Sequence, residues 1–229
     1  MFDNTPVLGR SESAQIATNK VLRNTYALLG LTMIPTVIGA FIGMTLNFAF
    51  AQQHPFIFAI GAIAVMYGLF AAINANRNSS VGVVLLLGLT FLLGLMLGPI
   101  LQHALHLANG AQIVGLAAAG TGIILFSLAS FAATSKKDFS FMSKFLLIGI
   151  ILLIVASLAN IFLQIPAMTL ALSGVGVILF SGFILYDVSR IVNGGETNYI
   201  MATLSLYMSI YNLFTSLLQL LMGLMGSND

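Results

Sequence analysis

The sequence contains no cysteine and no tryptophan, and only eight basic and six acidic residues occur among its 229. The absence of cysteine excludes a disulfide framework, a thiolate metal site and a cysteine nucleophile. Charged residues make up 6% of the chain, whereas a soluble globular domain carries about 25%. The basic residues are scattered, so they form no basic stripe of the kind that binds nucleic acid. Because 59% of the residues are hydrophobic, we predict that this chain is embedded in a lipid bilayer.

Seven long apolar runs predict seven transmembrane helices, because each crossing of a bilayer needs about 20 apolar residues. The first 23 residues are polar, and we predict that residues 1–23 form a cytoplasmic tail without regular structure, followed by a single domain at residues 24–229. The sequence therefore predicts an all-α membrane protein with seven transmembrane helices, at about residues 26–51, 55–73, 81–101, 111–133, 145–165, 167–187 and 199–225.

The basic residues indicate the orientation of these helices. Eight polar segments flank the seven runs, and all eight Lys and Arg residues lie in alternate segments, beginning with the segment before the first run. Because cytoplasmic loops of membrane proteins are enriched in Lys and Arg, we predict a cytoplasmic N-terminus and a C-terminus on the outer side. An extra or missing helix would disrupt this alternation, so the pattern also supports the count of seven.

The stretch from Tyr186 to Phe214 combines charged and polar residues between two apolar runs. Asp187 lies at the end of the sixth run, where an ionisable side chain needs a partner. Arg190 is three residues further on, which makes it a neighbour on the surface of a helix. Two interpretations remain open: a structural ion pair between Asp187 and Arg190, or a site that responds to protons or cations.

Other polar side chains lie inside the apolar runs. Tyr207 and Tyr211 share one face of the seventh helix. Two roles remain open for them: packing between helices, which we favour, or hydrogen bonds toward Asp187 in a polar core, if that helix lies at the centre of the bundle. Asparagine and glutamine side chains in membrane helices usually form interhelical hydrogen bonds, but a line of them also lines a water-filled cavity in some proteins. The residues in question are Asn160, Gln164, Asn212 and Gln219.

Two pairs of glycines four residues apart favour close contact between helices. Gly39 and Gly43 lie in the first run, and Gly94 and Gly98 lie in the third. The sequence leaves open whether these pairs serve packing within the chain or dimerisation.

Six sequence blocks resemble the Bax inhibitor family of seven-helix membrane proteins, and within it the bacterial YccA type. The blocks extend from the first helix to the last and have matching separations. They are KVLRNTY (20–26), LGPIL (97–101), KKDFSF (136–141), NIFLQIP (160–166), GGETNYI (194–200) and LYMSIYNLF (206–214).

The resemblance implies a multi-pass protein of the bacterial inner membrane that binds the FtsH protease, with HflK and HflC as further candidate partners, and that restrains the proteolysis of membrane proteins. In that membrane the orientation predicted from the basic residues places the C-terminus in the periplasm. It implies no enzymatic activity, and we predict no catalytic residue, cofactor or metal site. If the predicted orientation is right, the exposed charges available for contact with a cytoplasmic partner include Arg77, Lys136, Lys137 and Glu196.

The resemblance also implies an alternative function, because channel-like members of the family are pH-sensitive calcium or proton leaks. Those members use two aspartates, of which the first matches Asp187. Ser209 stands where the second aspartate would be. Two neighbouring carboxylates share a proton and offer oxygen ligands to calcium, whereas one carboxylate beside a hydroxyl is poorly suited to either role. The residue at position 209 therefore favours the protease modulator over the channel.

Overall fold

The computed structural model describes residues 7–46, 53–135 and 137–226, and nearly all of these residues are helical. The helices are α1 (Val7–Thr45), α2 (Pro55–Ala75), α3 (Ser80–Leu105), α4 (Gly110–Ser135), α5 (Met142–Leu163), α6 (Pro166–Val192) and α7 (Tyr199–Met225). All seven contain a segment that is long and apolar enough to cross a membrane. The prediction of an all-α protein with seven transmembrane helices is therefore confirmed.

The first helix differs from the prediction at both of its ends. It begins at Val7, within the segment that we expected to lack regular structure, and it ends at Thr45, whereas the predicted span extends to residue 51. Residues 47–52 lie outside the described part of the chain. Helix nucleation is costly but elongation is not, so a membrane helix extends readily into a preceding segment that has no proline after Pro6. At about 1.5 Å per residue, the 39 residues of α1 span about 58 Å, well beyond the bilayer core of about 30 Å.

Helix α7 lies at the centre of the bundle, where it packs against α1, α2, α3, α4 and α6. Its buried side chains point in every direction around its axis, for example Leu206, Tyr207 and Ser209. Helix α5, in contrast, packs along its length against α6 alone within the described residues; near its end, the Phe162 ring stacks on Phe56 of α2 with centroids 6.0 Å apart, and Leu146 is its one buried residue. The apolar side chains of α5 therefore face lipid, as hydrophobic residues of a peripheral membrane helix do.

Helices α1 and α3 are held in close contact by the two glycine pairs. A Cβ atom on Gly39 would lie 3.2 Å from the Cα of Gly94, and one on Gly98 would lie 2.7 Å from the Cα of Gly43. Only residues without side chains permit backbones to approach so closely. The structure thus uses both glycine pairs for packing within one chain.

Three loops are joined at one end of the bundle, which we call the charged end; it carries Arg77, Lys137, Arg190 and Glu196. The Asn198 side chain donates to the Arg77 carbonyl at 2.8 Å and connects the α6–α7 loop to the α2–α3 loop. The Ser189 hydroxyl of α6 accepts a hydrogen bond from the Phe139 amide at 3.0 Å and donates to the Lys137 carbonyl at 3.3 Å. These bonds make the charged end a preformed surface. Lys136, which we predicted as a contact residue there, lies outside the described residues.

Candidate functional site

The centre of the candidate site is a carboxylate and a hydroxyl on neighbouring helices. Asp187 is in the last two turns of α6 and is only 7% exposed, while Ser209 in α7 is 5% exposed. The Ser209 Oγ donates to Asp187 Oδ2 at 2.9 Å. The same Oγ lies 3.1 Å from the carbonyl oxygen of Ser205, one turn earlier in its own helix, so its single hydrogen is shared between two acceptors, of which the carboxylate is the nearer. Ser209, which the resemblance aligns with the second aspartate of channel-like members, is therefore the direct partner of Asp187.

The predicted ion pair between Asp187 and Arg190 does not form, although the two residues are three positions apart. Arg190 pairs with Glu196 in the α6–α7 loop, with 3.3 Å between Nη2 and Oε2. Its guanidinium also lies 5.6 Å from the centre of the Tyr186 ring. The reason is that Asp187 points into the bundle, whereas the long arginine side chain reaches out toward the membrane surface, where its charge remains hydrated.

Of the two roles left open for Tyr207 and Tyr211, hydrogen bonds toward Asp187 are not formed. The Tyr207 hydroxyl is 2.7 Å from the hydroxyl of Thr36 in α1, and the Tyr211 hydroxyl donates to the carbonyl of Leu93 in α3 at 3.2 Å. The two rings stack on each other, with centroids 6.3 Å apart. These tyrosines attach the central helix to α1 and α3, on the side of α7 that faces away from the carboxylate.

A polar stripe on α7 continues from Ser209 along the membrane-spanning part of the chain. Its members recur every three or four residues, which places them on one face of the helix. This face borders three adjoining crevices beside α5 and α6; Phe70 of α2 also lines the first, and His103 of α3 lines the third. The stripe comprises Ser205, Ser209, Asn212, Ser216 and Gln219.

The first crevice, of about 440 Å³, contains Asp187 and Arg190 near the charged end. The second, of about 450 Å³, shares Asn212 and Phe180 with the first. The third, of about 880 Å³, shares Gln219 with the second and extends to His103 at the opposite end of the bundle. Asn160, Gln164 and Gln219, which we singled out as polar groups in apolar runs, all line this third crevice.

The polar groups along these crevices are one carboxylate, the Arg190 guanidinium, the His103 imidazole and a series of neutral hydroxyl and amide groups. Protein sites for calcium provide six to eight oxygen ligands, usually with several carboxylates. Within the described residues, no group of three or more His, Cys, Asp or Glu side chains is placed to hold a metal ion. The arrangement suits hydrogen bonding to water or to a neighbouring helix better than it suits the binding of a divalent cation.

Two groups of residues that matter to this site were not identified from the sequence. Ser205 and Ser216 belong to the polar stripe. Their spacing from Ser209 would have predicted this, since all three fall on one face of a helix. Asn198 and Ser189 join the loops at the charged end. Asn198 was predictable as the N-cap of α7, and its Oδ1 accepts from the amides of Ile200 and Met201, both at 3.1 Å. The contact of Ser189 with the α4–α5 loop could not be predicted from the sequence.

The fold and the site define a helical membrane protein of seven spans in which, among the residues that the structure describes, Asp187 is the one buried carboxylate and lies next to the central helix. The chain belongs to the Bax inhibitor family: residues 18–227 match the family described as "Inhibitor of apoptosis-promoting Bax1". The resemblance proposed from the six sequence blocks is thereby confirmed.

Three relatives are similar over nearly the whole chain. An "Uncharacterized membrane protein" of Vibrio cholerae is 43% identical, covering 99% of this chain and 100% of the relative. The "Modulator of FtsH protease YccA" of Escherichia coli K12 is 40% identical, covering 90% of this chain and 91% of the relative. The same identity and coverage hold for the "Inner membrane protein YccA" of a second Escherichia coli strain.

Proposed function

We propose that this protein binds the FtsH protease complex in the bacterial inner membrane and restrains the proteolysis of membrane proteins. The observation that supports this proposal most strongly is the similarity over 90% of the chain to a protein named as a modulator of FtsH. The HflK and HflC proteins, which the resemblance implies, are proposed as further members of the same complex.

The charged end of the bundle is the proposed surface of contact. In the orientation that the alternating basic residues favour, this end lies in the cytoplasm. Arg77 and Lys137 are exposed there, and Glu196 is half-buried beside Arg190. Because hydrogen bonds between the loops already fix their backbones, a partner would bind this surface with a small loss of conformational entropy.

The proposed activity is that of a binding protein and not that of an enzyme. The Asp187 carboxylate accepts from a serine hydroxyl, and no histidine lines the crevice that contains this pair. A nucleophilic serine needs a neighbouring base that removes its proton. The buried Asp187–Ser209 pair is therefore proposed as a structural contact that holds α6 against α7 below the charged end.

A second candidate function is a proton or calcium leak, and the three adjoining polar crevices are the observation that favours it. They extend from Asp187 to His103 on opposite ends of the bundle. However, Ser209 leaves Asp187 without a second carboxylate, and Phe180 lies at the junction of the first two crevices. We rank this candidate second because neutral hydroxyl and amide groups compensate poorly for the dehydration of a divalent cation.

The test is a pull-down of the tagged protein from a mild detergent, with the co-purified proteins identified by mass spectrometry and calcium flux measured in liposomes. We expect FtsH to co-purify and flux to equal that of empty liposomes. The double variant Arg77→Gln, Lys137→Gln should weaken the recovery of FtsH, whereas Lys144→Gln, an exposed charge at the start of α5, is the matched control. Flux without recovery of FtsH would reverse the ranking of the two candidates.

A further inference from the structure

A second, apolar groove lies on a different side of the bundle, between α1 and α4. These two helices do not pack against each other within the described residues. The space between them is about 590 Å³, and its floor is formed by Ile210 of the central helix. Apolar and small side chains make up nearly all of its walls, among them Leu22 and Met33 on α1 and Ala118 and Ala133 on α4.

Glycines give this groove its depth. A Cβ atom added to Gly30 on α1 or to Gly122 on α4 would meet nothing within 4 Å. This contrasts with the glycines between α1 and α3, where an added Cβ would collide with backbone. The two open glycines therefore widen a space that faces lipid and do not serve contact between helices of this chain.

The length of the groove favours a lipid chain over a partner helix. At about 1.5 Å per residue, the lining residues extend over about 17 Å on α1 and about 22 Å on α4. One leaflet of the hydrocarbon core is about 15 Å thick, and a transmembrane helix must cross about 30 Å. The groove thus matches the depth that an acyl chain reaches from one membrane surface and is too short to hold a spanning helix along its length.

The end of the groove that lies at the charged end carries positive charge. Arg23 directly follows the lining residue Leu22, and its side chain is exposed. Lys137, also exposed, follows α4 four residues after the lining residue Ala133. The neighbouring Asp138 carries one negative charge, which Arg23 and Lys137 outnumber, and its Oδ1 is held by the amide and the hydroxyl of Ser140 at 2.9 and 2.5 Å. Basic residues between transmembrane helices at a membrane surface favour anionic lipid head groups.

We propose that this groove is a binding site for an anionic phospholipid. One acyl chain lies between α1 and α4 against Ile210, and the phosphate lies between Arg23 and Lys137. The groove is separate from the polar crevices and from the carboxylate of α6. Lys137 belongs both to this site and to the proposed FtsH surface, whereas Gly30, Gly122 and Arg23 belong to the lipid site alone, so variants at these three residues test the lipid site independently. Its occupant is a molecule of the adjacent leaflet that exchanges more slowly than the surrounding lipid.

The first test fills the groove. Gly30→Leu and Gly122→Leu place a side chain in open space, so neither variant should prevent folding, and both improve helix propensity. Gly115→Leu is the matched control: this glycine is in α4, also has nothing within 4 Å of an added Cβ, and does not line the groove. Native mass spectrometry of protein purified from nanodiscs containing phosphatidylglycerol should show one retained lipid for the parent chain and for Gly115→Leu. The retained lipid should be lost in the two groove variants.

The second test concerns the head group. Arg23→Gln and Lys137→Gln should each reduce retention of phosphatidylglycerol relative to phosphatidylcholine about fivefold, which corresponds to about 1 kcal/mol per basic residue. Lys144→Gln, on the peripheral helix α5, should leave the ratio unchanged. Equal retention of both lipids by the parent chain, or loss of lipid in Gly115→Leu as well, would overturn the proposal. A polypeptide bound in the groove of the parent protein, and absent from Gly30→Leu, would also overturn the proposal.

Discussion

The bond between Ser209 and Asp187 leads to a prediction about stability that can be worked from the structure. Ser209→Ala removes the hydroxyl that donates to Asp187 Oδ2 at 2.9 Å, while Arg190 is occupied with Glu196. Hydrogen bonds between membrane helices contribute about 0.6 kcal/mol on average and up to about 1.7. Because this carboxylate is 7% exposed, water does not readily replace the lost donor. We expect a loss of about 1.5 kcal/mol in the free energy of unfolding, which is roughly tenfold in the equilibrium constant.

The assay is the unfolding free energy in mixed micelles, measured for a set of matched variants. Ser181→Ala on α6 is the control, because its Oγ bonds only to the carbonyl of Val177 in its own helix, at 2.6 Å. In an Asp187→Leu background, Ser209→Ala should cost less than about 0.5 kcal/mol, since the acceptor is then absent. Equal losses for Ser209→Ala and Ser181→Ala, or the same loss in both backgrounds, would refute the assignment of this bond as a significant contact between α6 and α7.

Three further predictions follow from other contacts. Gly98→Ala should lower the melting temperature, because its Cβ would collide with the backbone of Gly43 and overpacking costs about 1–3 kcal/mol. Gly88→Ala in the same helix is the control: an added Cβ there has nothing within 4 Å, so the melting temperature should stay unchanged or rise. Tyr207→Phe should destabilise the protein by about 0.5–1.5 kcal/mol through loss of its hydroxyl bond to α1, as measured by the same unfolding assay; no change would contradict that bond. Hydrogen bonds from Ser140 hold the pKa of Asp138 below its ordinary value, so Ser140→Ala should raise that pKa in an NMR titration. In the parent chain the bonds favour the folded loop above the ordinary aspartate pKa and are lost as pH falls through the lowered value.

The spans could be predicted from the sequence because hydropathy and helix length are local properties. The ends of the helices were less predictable. Helix α1 extends back to Val7 because an existing helix elongates at little cost, and the polar composition of that segment does not prevent it. The glycine pairs indicated close contact of helices, but only the structure shows that α1 and α3 supply the two partners.

The hydrogen-bond partners within the candidate site depend on the direction in which each side chain points, and the sequence determines that direction only in part. Asp187 and Arg190 are close in sequence, yet the carboxylate points into the bundle and the guanidinium points toward water. Tyr207 and Ser209 are separated by about 200° around the helix axis, so they cannot both face Asp187. That angle was available from the sequence, whereas the contact of Tyr207 with Thr36, 171 residues away, was not.

The central claim is that the protein restrains FtsH, and the most direct test is the rate at which purified FtsH degrades a membrane-protein substrate in proteoliposomes. The measurement compares liposomes with this chain, liposomes without it, and liposomes with the double variant Arg77→Gln, Lys137→Gln. We predict that the parent chain slows degradation in proportion to its amount and that the double variant slows it less. A rate of degradation that is unchanged by saturating amounts of the parent chain would contradict the account.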